Sequence, residues 1–176
     1  MLTRESGCVL ELASFSEIET EFLHRVQSTV WCNVATVDRA GRPYSRILHP
    51  IWESSTGWIL THRDSHKAKH LEHNPFISLS YVPADIQKPV YVDCKTSWEE
   101  DLTEKRRLWD LVRSISPPLG FDPEPDFANP TNPNFGLLKL KPWRIVLVTF
   151  PAASYDEGHK VWRDPDVIDT SGQGSE

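Results

Sequence analysis

Residues 30–62 have the sequence VWCNVATVDRAGRPYSRILHPIWESSTGWILTH, in which three β-type segments are separated by two turns. The first segment, residues 30–37, is rich in β-branched residues, and the Asp, Gly and Pro that follow it are typical of a turn. A second segment, residues 44–53, leads through a Ser, Thr and Gly turn into a third, residues 58–62. This order predicts three adjacent antiparallel strands in a meander.

The rest of the chain adds strands and a few helices without a repeating strand-helix order. Apolar residues at helical spacing, opened by the capping-box patterns Ser16 to Glu19 and Ser97 to Glu100, predict helices over residues 16–28 and 97–115. Further predictions are a short helix over 66–73, strands over 76–82, 90–95, 135–141 and 144–150, and a surface loop over 117–134. We therefore predict a mostly-β protein with flanking helices, built as an antiparallel β-barrel.

Length and composition are those of a single-domain globular protein. With 176 residues the chain can bury a core in one domain, so residues 1–163 are predicted to form that domain and the polar, acidic residues 164–176 a disordered tail. The net charge of -6 argues against nucleic-acid binding. Three distant cysteines and the lack of a long apolar run predict a cytoplasmic protein without a membrane partner.

Two nearby stretches carry groups that bind anions: residues 45–50, SRILHP, and residues 60–68, LTHRDSHKA. Arg46 alternates with Leu48 on one strand, so its guanidinium shares an apolar face and needs an anionic partner. Thr61 ends a neighbouring predicted strand, Ser65 opens a helix, and Lys67 lies in the first turn, where a cation opposes the helix dipole. Together they predict a phosphate site. The alternative is that Arg46 pairs with an acid across the sheet and the helix lysines are solvated.

This set of residues resembles the cofactor site of the pyridoxamine 5'-phosphate oxidase-like FMN-binding split-barrel superfamily. In that family a strand Arg, a strand-end Thr and a Ser-Arg-Lys at a helix start hold the FMN phosphate. By position these fall on Arg46, on Thr61 and on Ser65, His66 and Lys67. The similarity extends over about residues 30–95, with weaker support from residues 138–148.

The resemblance implies an antiparallel split β-barrel, a homodimer with the cofactor cleft between subunits, and FMN as the cofactor. It also implies that Leu48 and Trp162 lie at the cofactor. Two positions depart from the family pattern, because Ile51 stands where the oxidase has a Lys and His66 stands where the family has an Arg. The resemblance therefore implies an oxidoreductase with hydride transfer at the flavin N5 and a substrate other than vitamin B6, which the sequence does not identify.

Other functions remain open at this point. The same fold serves an F420-dependent reductase or a non-catalytic protein that binds flavin, F420 or haem. A metal site is a further alternative, because His62, His66, His70 and His73 contain an i, i+4 pair. The chain has no H-E-x-x-H sequence, so we predict no metal, and no catalytic residue is assigned.

Overall fold

The computed structural model describes residues 9–84, 86–150 and 158–168, and it is mostly β with flanking helices, as predicted. The strands are β1 (Val9–Leu12), β2 (Cys32–Val37), β3 (Pro43–Leu48), β4 (Ile51–Glu53), β5 (Thr56–His62), β6 (Phe76–Tyr81), β7 (Val90–Glu99), β8 (Phe135–Leu147) and β9 (His159–Arg163). A 3₁₀ turn (Phe15–Glu17) precedes helices α1 (Glu19–Thr29), α2 (His66–Leu71), α3 (Leu102–Ser114), α4 (Glu124–Phe127) and α5 (Pro165–Ile168).

The sheet branches at its longest strand, β8. Residues 135–140 of β8 pair with β5 and residues 144–147 pair with β9, while β7 runs along almost the whole strand. The strand order is β1-β9-β8-β7-β6-β2-β3, and β4 is attached to β5. Among the described strands every pair is antiparallel except β1 with β9.

The prediction of a wholly antiparallel barrel is therefore wrong in two respects. The sheet is mixed, because β1, which the sequence did not predict, adds in parallel to β9. Within the described residues the hydrogen-bonded ladder also stays open, since β1 pairs only with β9 and β3 only with β2.

Of the predicted meander, the antiparallel pairing of β2 with β3 is confirmed, and the place of the third strand is wrong. Residues 44–53 do not form one strand, because the chain breaks at His49-Pro50 and starts again as β4, and Pro50 has no N–H for a ladder. In the described residues β5 lies between β4 and β8 and is not hydrogen-bonded to β3. Arg46 and Thr61 consequently lie on strands that are not neighbours in the sheet.

Both predicted capping boxes are displaced. The first uses Ser14 and Glu17, and α1 starts only at Glu19. At the second, residues 97–99 extend β7, and Asp101 instead caps α3 by accepting from Thr103 N at 2.8 Å. Pairing of residues 97–99 with β8 outweighs their local preference for a helix start. The ladder between β7 and β8 has a bulge near Cys94, where Cys94 lies opposite Pro142, and it continues beyond this bulge.

Two segments predicted as irregular contain helices. The 117–134 loop contains α4, whose Phe127 is buried. The predicted tail contains α5, which packs against β8, and residues 169–176 lie outside the described residues.

The core has two parts. The larger lies between α1 and the sheet, and the smaller lies under α3. Phe22, Leu79, Tyr81 and Leu140 are fully buried in the first, and Leu108 and Leu137 are fully buried in the second.

Candidate functional site

Arg46 sits on the inward face of β3, as its alternation with Leu48 predicted. It pairs with Val34 of β2, and Leu48 pairs with Cys32, while Ile47 between them faces outward. Leu48 packs against the margin of the large core. The guanidinium of Arg46 is half-buried at this end of the sheet.

The short helix α2 faces the same end of β2. Its N-cap is Ser65, whose hydroxyl accepts from Ala68 N at 3.4 Å, and Ala68 and Leu71 are the buried residues that hold the helix on the sheet. Lys67, in the first turn, is half-buried, whereas His66 is exposed to solvent.

Arg46 and Lys67 are close enough to repel one another. Burial lowers the pKa of Arg46, and burial followed by the positive charge of Arg46 lowers the pKa of Lys67. Among the described residues, neither cation has a carboxylate within 4.0 Å. The predicted alternative, in which Arg46 pairs with an acid across the sheet, is thus not what the described part of the molecule contains.

The partners of Arg46 are neutral. Its Nη1 donates to Thr36 Oγ1 at 2.7 Å and, at a longer 3.4 Å, to the Val34 carbonyl oxygen. Thr36 Oγ1 in turn lies 2.8 Å from His70 Nδ1. Within the described chain, Arg46 Nη2 and Nε make no hydrogen bond. This leaves guanidinium donors available to a ligand.

Other buried or half-buried arginines are paired differently. Arg25 is paired with Glu21, and Arg144 donates to Asp93 at 2.7 Å. Arg63, which is also half-buried, donates to Glu100 at 2.8 Å. Arg46 therefore lacks the carboxylate partner that this fold gives to comparable side chains.

Thr61 lies near the end of β5, the strand that precedes α2 along the chain. It is buried, opposite Gly136 of β8, and the following turn is held by hydrogen bonds from Arg63 N and Asp64 N to Asn134. Thr61 is thereby placed four residues before Ser65 at the start of α2.

Trp162 lies apart from this cluster in β9. Its indole packs edge-on against Phe15, with ring centroids 5.4 Å apart, and belongs to the large core. Among the hydrogen bonds, ion pairs and ring contacts within the described residues, none joins Trp162 to Arg46 or α2. Its predicted place at the cofactor stays a prediction.

Thr36 was not singled out from the sequence, and His70 was considered there only as one histidine of a possible metal site. The signal available was the alternation on β2, where Thr36 follows Val34 onto the face that carries Arg46. His70 was assigned to a histidine face, but its ring packs against Tyr44 at 5.0 Å and its Nδ1 meets Thr36.

The described histidines do not converge. His62 contacts Asn134 and the ring of Phe127, and His70 contacts Thr36. Across residues 9–84, 86–150 and 158–168, no group of three or more His, Cys, Asp or Glu side chains is arranged to hold a metal ion. In the same residues no helix is long and apolar enough to cross a membrane.

The family model and the curated proteins that match this sequence carry the same description. A family model described as pyridoxamine 5'-phosphate oxidase matches residues 18–149, about three quarters of the chain. Pyridoxine/pyridoxamine 5'-phosphate oxidase of Haemophilus influenzae Rd is 29% identical over 86 residues, which are 48% of this chain and 41% of that protein. The enzyme of Aliivibrio salmonicida is 39% identical over 71 residues, 40% of this chain and 32% of that protein. The matches thus span less than half of these relatives.

Solved structures agree in fold at low identity. A Clostridium acetobutylicum protein related to general stress protein 26 has a TM-score of 0.65 at 13% identity, covering 88% of this chain and 99% of that one. A pyridoxamine 5'-phosphate oxidase-related, FMN binding protein of Nostoc punctiforme scores 0.60 at 18%, covering 87% and 97%. HutZ, the heme storage protein of Vibrio cholerae, scores 0.54 at 20%, covering 71% and 89%.

Proposed function

The chain belongs to the pyridoxamine 5'-phosphate oxidase family, and from that membership we propose that it binds FMN and holds the FMN phosphate with Arg46, Thr61, Ser65 and Lys67. The observation that carries this proposal is the pair of half-buried cations, Arg46 and Lys67, which repel each other and have no carboxylate in the described residues. A phosphate monoester carries about −1.5 to −2 charges at neutral pH, so two cations match it.

The donors available also suit a phosphate. A guanidinium with unused Nη2 and Nε can bind two phosphate oxygens at once, and an ammonium adds up to three donors in flexible directions. His66 is exposed at the start of α2 and contributes at the edge of the site. Leu48 lies two residues from Arg46 on the same face of β3 and provides an apolar surface beside it.

Bound FMN supplies hydride chemistry at N5, and we propose that the protein is an oxidoreductase whose substrate differs from pyridoxamine phosphate. Ile51, where the resembling oxidase has a Lys, is buried in β4. A buried isoleucine offers no charge to a cofactor or substrate. The site consequently has one cation fewer than the oxidase pattern, which supports a different reaction.

FMN is favoured over F420 by the surroundings of the site. F420 carries an acidic tail that needs a basic groove, and Arg39, Arg42 and Arg63 are the arginines near the site that could supply one. Arg42 is paired with Asp38 and Arg63 with Glu100, both at 2.8 Å. Two of the three candidate arginines are therefore already neutralised.

We also propose that the protein is a homodimer through the outward face of the sheet. Ile47 is 61% exposed on β3 and Tyr91 is 39% exposed on β7. On the same side an apolar cavity of about 370 Å³ is lined by residues that include Val37, Phe76 and Trp143. A second copy covering this face would remove an exposed apolar surface from water.

The test is titration of cofactor-free protein with FMN, riboflavin and F420, followed by tryptophan and ligand fluorescence. We expect FMN to bind tightly and riboflavin, which lacks the phosphate, to bind more weakly. Tighter binding of F420 than of FMN would refute FMN as the cofactor and assign F420 to the site instead. If FMN and riboflavin bind equally, or neither binds, the phosphate site is refuted. A Soret band after incubation with haem, without flavin binding, would point to the haem-binding alternative.

A further inference from the structure

Three side chains from three elements form a continuous hydrogen-bonded chain behind the proposed phosphate site. Arg46 of β3 donates from Nη1 to Thr36 Oγ1 of β2 at 2.7 Å, and that oxygen lies 2.8 Å from Nδ1 of His70 in α2. Thr36 is only 2% exposed, so its hydroxyl depends on these protein partners.

The donors and acceptors fix the direction of the chain. A guanidinium only donates, so Thr36 Oγ1 must accept from Arg46. The single hydroxyl proton of Thr36 is then free to be donated to His70 when Nδ1 is unprotonated. The His70 ring is in turn oriented by Tyr44, whose ring centroid is 5.0 Å away.

The geometry of the sheet makes Thr36 the main support of the guanidinium. Val34 is directly opposite Arg46 and Thr36 is opposite Tyr44, so Thr36 is the diagonal neighbour on the same face. Apart from Thr36, the hydrogen bond that Arg46 makes in the described chain goes to the Val34 carbonyl oxygen at 3.4 Å, which is long.

We infer that Thr36 is a positioning residue, which, held by His70, directs the guanidinium of Arg46 toward the phosphate without itself touching the ligand. This inference rests on the proposed phosphate site. It adds that the orientation of Arg46 by Thr36 gives the site its selectivity for a phosphorylated flavin over an unphosphorylated one. Burial lowers the pKa of both Arg46 and Lys67, in agreement with a site that is incomplete without an anion. A guanidinium held in one orientation loses less conformational freedom when the phosphate binds.

The experiment compares Thr36→Val, which replaces the hydroxyl by a methyl, with Thr36→Ser, which keeps it. Dissociation constants for FMN and riboflavin are measured for each by tryptophan fluorescence. We expect Thr36→Val to weaken FMN binding by about 5- to 15-fold, less than the loss of a direct charged contact because Thr36 only orients the guanidinium, and to change riboflavin binding by less than about 2-fold. Thr36→Ser should restore most of the FMN affinity.

A second pair keeps the test valid if Thr36→Val fails to fold. His70 is half-buried on α2. His70→Asn retains an acceptor near the position of Nδ1, and His70→Leu does not. We expect His70→Leu to weaken FMN binding by about 2- to 5-fold, because Thr36 then loses its second partner, and His70→Asn to bind FMN nearly as the wild type does. Riboflavin binding should be unchanged in both variants, and equal FMN affinities of His70→Leu and His70→Asn would contradict the role of His70.

Two results would overturn the inference. An equal loss for FMN and riboflavin would mean that Thr36 only maintains the fold, and a loss in Thr36→Ser as large as in Thr36→Val would mean that the hydroxyl is irrelevant. Failure of the underlying proposal looks different, because the wild-type protein itself would then not prefer FMN to riboflavin.

Discussion

Replacing Lys67 by Met should weaken FMN binding and leave the cofactor-free protein at least as stable as before. Lys67 is half-buried, is repelled by the positive charge of Arg46, and has no carboxylate partner in the described residues. Methionine keeps the unbranched stem and a similar helix propensity, so the substitution removes mainly the charge. The two effects have opposite signs because the charge is useful only when an anion is bound.

The size of each effect can be estimated from the contacts. One charge-assisted hydrogen bond is worth about 1.5–3 kcal/mol, so the dissociation constant for FMN should rise about 10- to 150-fold. Without a ligand, removing one of two like charges should raise the free energy of unfolding by up to about 1 kcal/mol, the size expected for a partly exposed pair. Riboflavin affinity should change little.

Lys69→Met is the matched control, because Lys69 lies on the same helix, carries the same charge and is exposed. The assays are fluorescence titration with FMN and riboflavin, and urea unfolding of the cofactor-free protein. Lys69→Met should bind FMN like the wild type. The reasoning is refuted if Lys67→Met binds FMN unchanged, or if it loses more than about 1 kcal/mol of stability, which would show a structural role.

Three further predictions concern other parts of the molecule. Ile47→Asp should convert the proposed dimer to a monomer, measured by size-exclusion chromatography with light scattering; a wild-type monomer would refute the proposed interface. Burial raises the pKa of Cys32 to about 12 and that of Cys94 well above its usual value, so iodoacetamide at pH 8 should modify neither until the protein unfolds; modification of the native protein at either site, read by peptide mass spectrometry, would contradict this. Hydrogen bonds from Arg107 lower the pKa of Glu53 from its ordinary value of 4.5, so the stability from this carboxylate is present at neutral pH and is lost as the pH falls below that ordinary value and through the lowered pKa of the folded protein; Glu53→Gln should flatten the acid side of the stability profile, and an unchanged slope would refute it.

The fold class and much of the candidate site were predictable because they depend on local patterns. Alternation along β3 predicted that Arg46 and Leu48 share a face, and the Ser65 cap predicted the start of α2. The strand neighbours were not predictable, because pairing depends on distant segments. Sequence order suggested that the strand of Thr61 lies beside that of Arg46, yet β5 pairs with β8, which begins more than 70 residues later.

Boundaries failed where a pairing partner outweighed a local signal. Ser97 to Glu100 has a capping-box pattern, but residues 97–99 pair with β8, and Ser97 lies opposite Lys139. The hydrogen bonds to β8 extend β7 through these residues, and α3 begins only after its N-cap, Asp101. Trp162 has no local pattern that distinguishes core from cofactor, since a large aromatic residue suits both.

The distribution of carboxylates distinguishes Arg46 from other arginines of the fold. The buried Arg25 and the half-buried Arg63 and Arg144 are each paired with an acid in the described residues, so their charges are satisfied within the fold. Arg46 is matched only by a hydroxyl and a carbonyl oxygen, and its nearest charge effect is repulsion with Lys67. A fold that places acids beside its other buried arginines gains nothing in stability from leaving these two cations unpaired. Such an arrangement is expected where an anion completes it, and Thr36 and His70 hold the guanidinium ready for that anion.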